Sequence, residues 1–271
     1  ARCSGKNARI IADTNPDHPE HWLLKDYIKS GASGILSNHF SLDDNTFLDE
    51  RYVREIKATT PKGMFYDRGV KGLWVSGDGV VYPQFDRQKH SITADQARRI
   101  NFDRIIAGVD WGWEHYGAIV VIGVKGRSYC VIEEDATKHR YINRWIEAAK
   151  GMIARYGNIP FYCDPARPEH IAAFQKAGIR AYFGNNRVLS GIEAVATLMQ
   201  NDLFQIVYDE CPRFREEIFK YIWKKNSAEP LKEMDDVLCA IRYGIYSDMT
   251  VSTNPRPDKQ MDQAKKLKGM I

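Results

Sequence analysis

The sequence lacks most of the devices by which a chain of this size reveals its class. No apolar stretch approaches the roughly 20 residues that a membrane-spanning helix needs, and the opening ARCSGKNARI has no apolar leader segment. Cysteine is scarce: Cys3, Cys130, Cys163, Cys211 and Cys239 are odd in number and nowhere spaced C-x-x-C. That excludes a disulfide framework and a thiolate zinc site, and it fits a reducing compartment. No G-x-x-x-x-G-K-[ST] occurs, so there is no phosphate loop for ATP hydrolysis. The histidines show no metal-ligand spacing, and no internal repeat is visible. Neither sign of charge dominates: 39 Lys plus Arg against 35 Asp plus Glu permits a polyanionic partner without demanding one.

What is present is an ordinary globular composition, 271 residues with 44% hydrophobic content, enough for one large domain or two modest ones. The chain opens without Met into ARIIAD, which reads as a short strand of a fragment cut from something longer. TNPDHPEHW is a loop, and HWLLKDYIKS has helical spacing up to Gly31. SLDDNTFLDERYVREIKATTP reads as a helix stopped by Pro61, and GLWVSGDGVVYPQF as a hairpin turning at Gly77-Asp78-Gly79. Residues 84–103 are polar and irregular, which marks 86–103 as a linker.

Beyond the linker the pattern predicts strands over 105–110, 117–124 and 128–134, a helix over 142–156, and a strand over 159–163 that should lie parallel to one of the first three. Further helices and short strands follow, among them a helix from Pro212 to about Trp223 and a last one from about Glu233 to Ser247. From Met249 the tail has little apolar content and a basic excess, which predicts disorder and suits an acidic partner.

Two of these strands end in aspartate, Asp110 in RIIAGVDWGWE and Asp164 in IPFYCDPAR. Neighbouring strands lie about 4.8 Å apart, so carboxylates at adjacent strand ends repel each other unless a cation intervenes. A third acidic element opens the last helix in EMDDVLCAIRYGIY, where Asp235 flanks the apolar face and Asp236 projects away. Three antiparallel strands, a crossover helix, a fourth strand and a late helix give an α/β, RNase H-like mixed sheet flanked by helices. Carboxylates at its first strand, fourth strand and last helix suit two divalent ions, Mg²⁺ or Mn²⁺, set for phosphodiester hydrolysis.

The chain from Arg9 to Asp248 resembles the large terminase subunit of tailed bacteriophages, the DNA-packaging motor. TNPDHPEHWL is similar to a segment near the end of its ATPase core, and LDDNTFLDE with GLWVSGDGVVYPQF to the stretch joining core and nuclease. GVDWGWE, FYCDPARPEHI, and EEIFKYIWKKN with DDVLCAIRYGIY resemble its three nuclease motifs, in that order. The resemblance implies a remnant of the P-loop ATPase domain over 1–85, a linker over 86–103, a nuclease domain over 104–248 and a basic tail over 249–271. It makes Asp110 and Asp164 metal ligands. In the third motif Asp236 stands where one common pattern has His and Cys239 where it has Asp, whereas other members use an Asp pair, so the resemblance implies Asp236 as the third ligand, with Asp235 beside it and Cys239 outside.

The implied activity is endonucleolytic cleavage of double-stranded viral DNA concatemers with little sequence preference. The implied partners are DNA, the procapsid portal, the small terminase subunit and the ATPase half, in the host cytoplasm and transiently at the portal, with no membrane. Arg213, Arg215, Lys220, Lys224, Lys225 and Lys232, interleaved with aromatics, are expected as a phosphate-binding face, although a charged helix surface over a normal core would read the same.

Other readings keep the same residues. Asp-Trp-Gly is turn chemistry, Asp164 can open a turn before Pro165, and an Asp pair at a helix start is ordinary capping. Glu133, Glu134 and Asp135 are candidates for an added ligand and His115 for a supporting contact. A junction resolvase, a transposase-type enzyme or a non-catalytic docking module are the alternatives.

Overall fold

The computed structural model describes residues 8–19 and 21–253. They form two compact units, one containing the chain up to Val81 together with Ile222–Leu231, the other Tyr82–Tyr221 and the chain from Lys232. No described helix is long and apolar enough to cross a membrane.

In the first unit a short helix over Leu23–Ile28 precedes α1 (Glu50–Thr59) and α2 (Met64–Gly69). Asp49 caps α1 by accepting the amides of Arg51 and Tyr52, and Pro61 follows its end as the sequence predicts. Three expectations fail here. The helix read from Ser41 begins only at Glu50, and Phe47 lies exposed ahead of it. Residues 8–13 form no strand, and Ile10 and Ile11 are exposed. The Gly77–Gly79 hairpin is also absent, because Val80 pairs antiparallel with Ile222 and Gly77 lies against the Trp223 indole, where a Cβ would be built into the ring. A partner far along the chain outcompetes the local turn.

The second unit carries α3 (Arg87–His90), β1 (Ser91–Ile92), α4 (Ala94–Arg98), β2 (Arg104–Asp110), β3 (Gly117–Lys125), β4 (Ser128–Thr137), α5 (Ile142–Tyr156) and β5 (Phe161–Cys163). After these come α6 (Pro168–Lys176), β6 (Ala181–Phe183), α7 (Val188–Gln200), β7 (Phe204–Val207), α8 (Pro212–Glu217) and α9 (Asp236–Thr253). The strands form one mixed seven-stranded sheet in the order β1-β7-β4-β3-β2-β5-β6, flanked by helices, so the fold is α/β. β2, β3 and β4 run antiparallel, and β5 joins β2 in parallel. Eight of nine residues of β3 are buried, which is why AIVVIGV reads as an unbroken apolar run.

The stretch 86–103 is not a linker. Its polar residues build local structure: Asp86 caps α3, Thr93 and Gln96 form a capping box on α4, and β1 pairs with β7. His90, 1% exposed, anchors the segment by contacting the Met199 carbonyl at 2.9 Å. The helix expected over 212–223 stops at Glu217, and α9 starts at Asp236 because Met234 adopts φ +55°. The tail expected from 249 is helical through Thr253, and its remainder lies outside the described residues.

The two faces of the sheet explain where the acids point. Ala107, Val109, Ile119 and Val121 pack with Trp145 and Met152 of α5 and Phe174 of α6. Their alternate neighbour Gly108 faces the other way, onto α9, so closely that a Cβ there would be built into the Ala240 carbonyl. Gly244 meets Gly108 from the helix side, with its own built Cβ 3.3 Å from the Gly108 Cα. By the two-residue repeat of a strand, Asp110 points to the same face as Gly108 and therefore toward α9.

Candidate active site

Parallel pairing sets Val109 opposite Cys163, and the Asp164 amide donates to the Val109 carbonyl at 2.8 Å. Asp110 and Asp164 therefore end adjacent strands at the same edge of the sheet, the juxtaposition that the sequence predicts. The Trp111 indole, which the Asp-Trp-Gly turn places just beyond Asp110, donates to the Asp164 carbonyl at 3.0 Å. Its ring packs edge-on against Trp145, His170 and Phe174, so both strand ends are pinned to one aromatic cluster.

α9 brings the remaining acids. It runs antiparallel to β2: Asp248 near its far end pairs with Arg104 at the start of β2, Ala240 and Gly244 cover Gly108, and its first turn reaches Asp110. Burial and the neighbouring charges of Asp164, Asp235 and Asp236 push the Asp110 carboxyl well above its usual range, while Arg242 opposes the shift. Burial and Asp236 raise Asp235 likewise. The four aspartates thus form one electrostatic cluster at the end of β2, β5 and the start of α9.

Three of these carboxylates are engaged by neighbours. Asp164 Oδ1 accepts the Ala166 amide at 3.0 Å and lies 3.0 Å from the Tyr243 hydroxyl, which is equally close to Asn186. Asp235 Oδ2 faces the Cys239 thiol at 3.5 Å. Asp236, expected to project away, is instead 7% exposed, with Arg213 Nη2 donating to Oδ2 at 3.0 Å. Among the described residues no group of three or more His, Cys, Asp or Glu side chains gathers to hold a metal ion. The donor chemistry nevertheless suits a hard divalent cation: partly buried, mutually repelling carboxylates at one sheet edge.

Cys239, expected outside the ligand set, lies beside it. It contacts Asp235, and burial together with the charge of Asp110 raises its thiol well above the usual range. Arg242, Tyr243 and Asn186 are further members that sequence reasoning passed over. Arg242 is 3% exposed, its Nε and Nη1 have no hydrogen-bond partner among the described residues, and its guanidinium lies 4.3 Å from the centre of the Tyr243 ring. A signal for Arg242 existed: Asp235, Cys239 and Arg242 recur at the spacing of one helical face.

The acids at the end of β4 stay out. Glu133 pairs with Arg155 and accepts from Tyr156 at 2.8 Å, Asp135 pairs with Arg140, and Glu134 accepts the Arg213 and Phe214 amides at the start of α8. His115 is exposed on the loop that follows Asp110. The basic run is divided between the two units. Lys224 and Lys225 lie in the first unit, whereas Arg213, Arg215, Lys220 and Lys232 lie in the second. Arg213 is committed internally, its side chain 12% exposed and bonded to Glu216, Glu217 and Asp236. Lys220, Lys224 and Lys225 are exposed, as is Lys232.

No family model matches the chain, and no curated protein sequence matches it. Solved structures do. The large terminase of a thermophilic bacteriophage, in complex with ATP-γ-S, superposes with a TM-score of 0.80 at 25% identity over 89% of this chain. The match spans 63% of that terminase's own length. The nuclease domain of the P22 large terminase matches 64% of this chain and 94% of its own, with a TM-score of 0.54 and 18% identity. The nuclease domain of the SPP1 large terminase with bound Mn gives 0.50 and 22% identity over 58% of this chain and 92% of its own. The chain resembles bacteriophage large terminases in fold, including their nuclease domains.

Proposed function

We propose that the chain contains the nuclease domain of a bacteriophage large terminase and is a divalent-metal-dependent endonuclease acting on double-stranded DNA. One observation carries the reading: Asp110 and Asp164 end paired parallel strands, and the first turn of α9 adds Asp235 and Asp236 to the same charge cluster. The likeness in fold to the SPP1 nuclease domain with bound Mn supports it.

In this reading Asp110, Asp164 and Asp236, with Asp235 beside them, hold the ions. Two bound divalent cations would activate a water nucleophile and stabilise the leaving oxygen of the phosphodiester. The residues of the chain itself set the stage. Trp111 and Tyr243 fix Asp164 in place, and Arg213 fixes Asp236. Gly108 lets α9 approach β2 closely enough to bring its acids to Asp110. Exposed lysines, among them Lys220 and Lys232, contribute phosphate contacts that carry no sequence information. The wider assignment travels with the reading as part of the proposal: an ATPase-domain remnant at the start, cleavage of viral DNA concatemers during packaging, and a portal, a small subunit and an ATPase half as partners in the host cytoplasm.

The deciding experiment is cleavage of supercoiled plasmid and of a four-way junction with Mg²⁺, with Mn²⁺ and with EDTA, by the wild type and by Asp110→Ala and Asp236→Ala. Metal-dependent plasmid cleavage abolished in both variants is expected. A strong preference for the junction would reassign the chain to the resolvases. A folded wild type that neither cuts nor binds Mn²⁺ would leave the acids as caps and turns.

A further inference from the structure

Arg213 sits where α8, α9 and the sheet meet. Its backbone amide is held by Glu134 of β4. Its guanidinium spreads over three carboxylates: Nε donates to Glu217 at 2.8 Å, Nη1 to Glu216 at 3.0 Å and Nη2 to Asp236 at 3.0 Å. The same group lies 4.1 Å from the centre of the Tyr116 ring, on the loop that follows Asp110. Glu217 is fully buried and accepts the Val237 and Leu238 amides at 2.9 and 3.1 Å, so it caps α9 from outside the helix. The first turn of α9 is thus tied to β4 through an unbroken series of bonds that passes through one guanidinium.

The geometry of the bond to Asp236 has a particular character. Arg213 reaches Oδ2 by a single Nη2 contact. An arginine locked by two further carboxylates and an aromatic face cannot follow Asp236 if that side chain rotates. It therefore selects one rotamer. A lysine at this place would keep the charge but not the fork that reaches Glu217 and Asp236 together.

We infer that Arg213 is the positioning residue for Asp236, orienting its carboxylate for a divalent cation, and not a DNA-phosphate contact. The inference rests on the two-metal reading of the cluster. A hydrogen-bonded partner behind a ligand holds its orientation, and loss of such a partner typically costs 10- to 100-fold in metal affinity.

The test measures Mn²⁺ affinity by electron paramagnetic resonance of the free ion, without DNA, so that turnover plays no part. Wild type, Arg213→Lys, Glu216→Gln, Asp110→Asn, Asp236→Asn and the Arg213→Lys/Asp236→Asn double variant are compared, with thermal unfolding followed in parallel. Expected is a fall of about ten-fold or more in Arg213→Lys and none in Glu216→Gln, which removes only the solvent-side partner. In the Asp236→Asn background Arg213→Lys should cause no further loss, because its effect passes through that carboxylate. A merely structural arginine would weaken binding equally in both backgrounds and thereby overturn the inference. So would unchanged or tighter binding in Arg213→Lys, while Asp110→Asn still abolished it; the metal-site reading would then stand alone. If wild type binds no Mn²⁺, both fall together.

Discussion

The Tyr243 hydroxyl lies 3.0 Å from Asp164 Oδ1, so the last helix reaches back to the strand end that bears the second acid of the cluster. Tyr243 is one turn beyond Cys239 on α9, and Asp164 immediately follows β5. This contact ties two elements that are far apart in sequence, and it orients a carboxylate that already accepts the Ala166 amide. Tyr243→Phe should cost about 1 kcal/mol of stability, the usual worth of one such bond. It should lower the turnover of metal-dependent cleavage several-fold while leaving the KM for DNA unchanged. Steady-state plasmid nicking with a parallel melt checks both numbers.

Asp110→Asn should stabilise the metal-free protein. Burial and three neighbouring aspartates raise the Asp110 carboxyl, so the native state tolerates its charge poorly at neutral pH. Removing that charge relieves the repulsion, and a gain of roughly 1 kcal/mol would raise the melting temperature by about 2–4 °C for a unit of this size. The same variant should lose the stabilisation that added Mn²⁺ gives the wild type. A melting temperature below wild type without metal would contradict this account.

Metal-free stability should fall as the pH rises from about 5 to about 8. Burial pushes Glu217 up to about 8 and Glu134 up to about 6, both from 4.5. A carboxyl whose folded pKa lies above its unfolded value binds protons more tightly when folded. Its contribution is complete below the unfolded value and is lost as the pH passes through the folded one. Glu217→Gln should flatten the upper part of this profile, as chemical denaturation at a series of pH values would register.

Gly108→Ala should be disproportionately damaging for the addition of one methyl group. The new Cβ meets backbone, the Ala240 carbonyl, which cannot swing aside as a side chain would. A cost of about 1–3 kcal/mol is the general expectation for overpacking, and displacement of α9 would carry Asp235 and Asp236 away from Asp110. Mn²⁺ affinity should drop in the fraction that folds. Gly151→Ala on α5, where the nearest outside atom to a built Cβ is the tip of Arg155 at 3.6 Å, serves as the tolerant control.

Much of the second unit was legible because its signals are local. The apolar run of β3, the alternation in β2 and the helical spacing of α5 each state their own structure, and two strands ending in aspartate announce a shared edge. What was not legible depends on partners remote in sequence. Nothing near Met234 foretells its left-handed backbone, and the cap that Glu217 supplies to α9 comes from outside the helix. Arg213 reads as a surface cation until Glu216, Glu217 and Asp236 are seen around it. The stretch 86–103 reads as irregular because it is polar, whereas Asp86, Thr93 and Gln96 spend their polar atoms on helix ends.

The pairing of Val80 with Ile222 has a consequence for synthesis on the ribosome. The first unit draws Ile222–Leu231 from the far side of nearly the whole sheet-bearing unit. A chain emerging from its amino end cannot finish its first unit when that unit's leading segment is complete. It must wait until the seven strands of the other have been made. The leading segment is then an unfinished body through most of translation, with Gly77 still lacking the Trp223 ring that it rests on in the finished fold. Closure of a loop this long is slow, so assembly of the first unit is expected to follow that of the sheet.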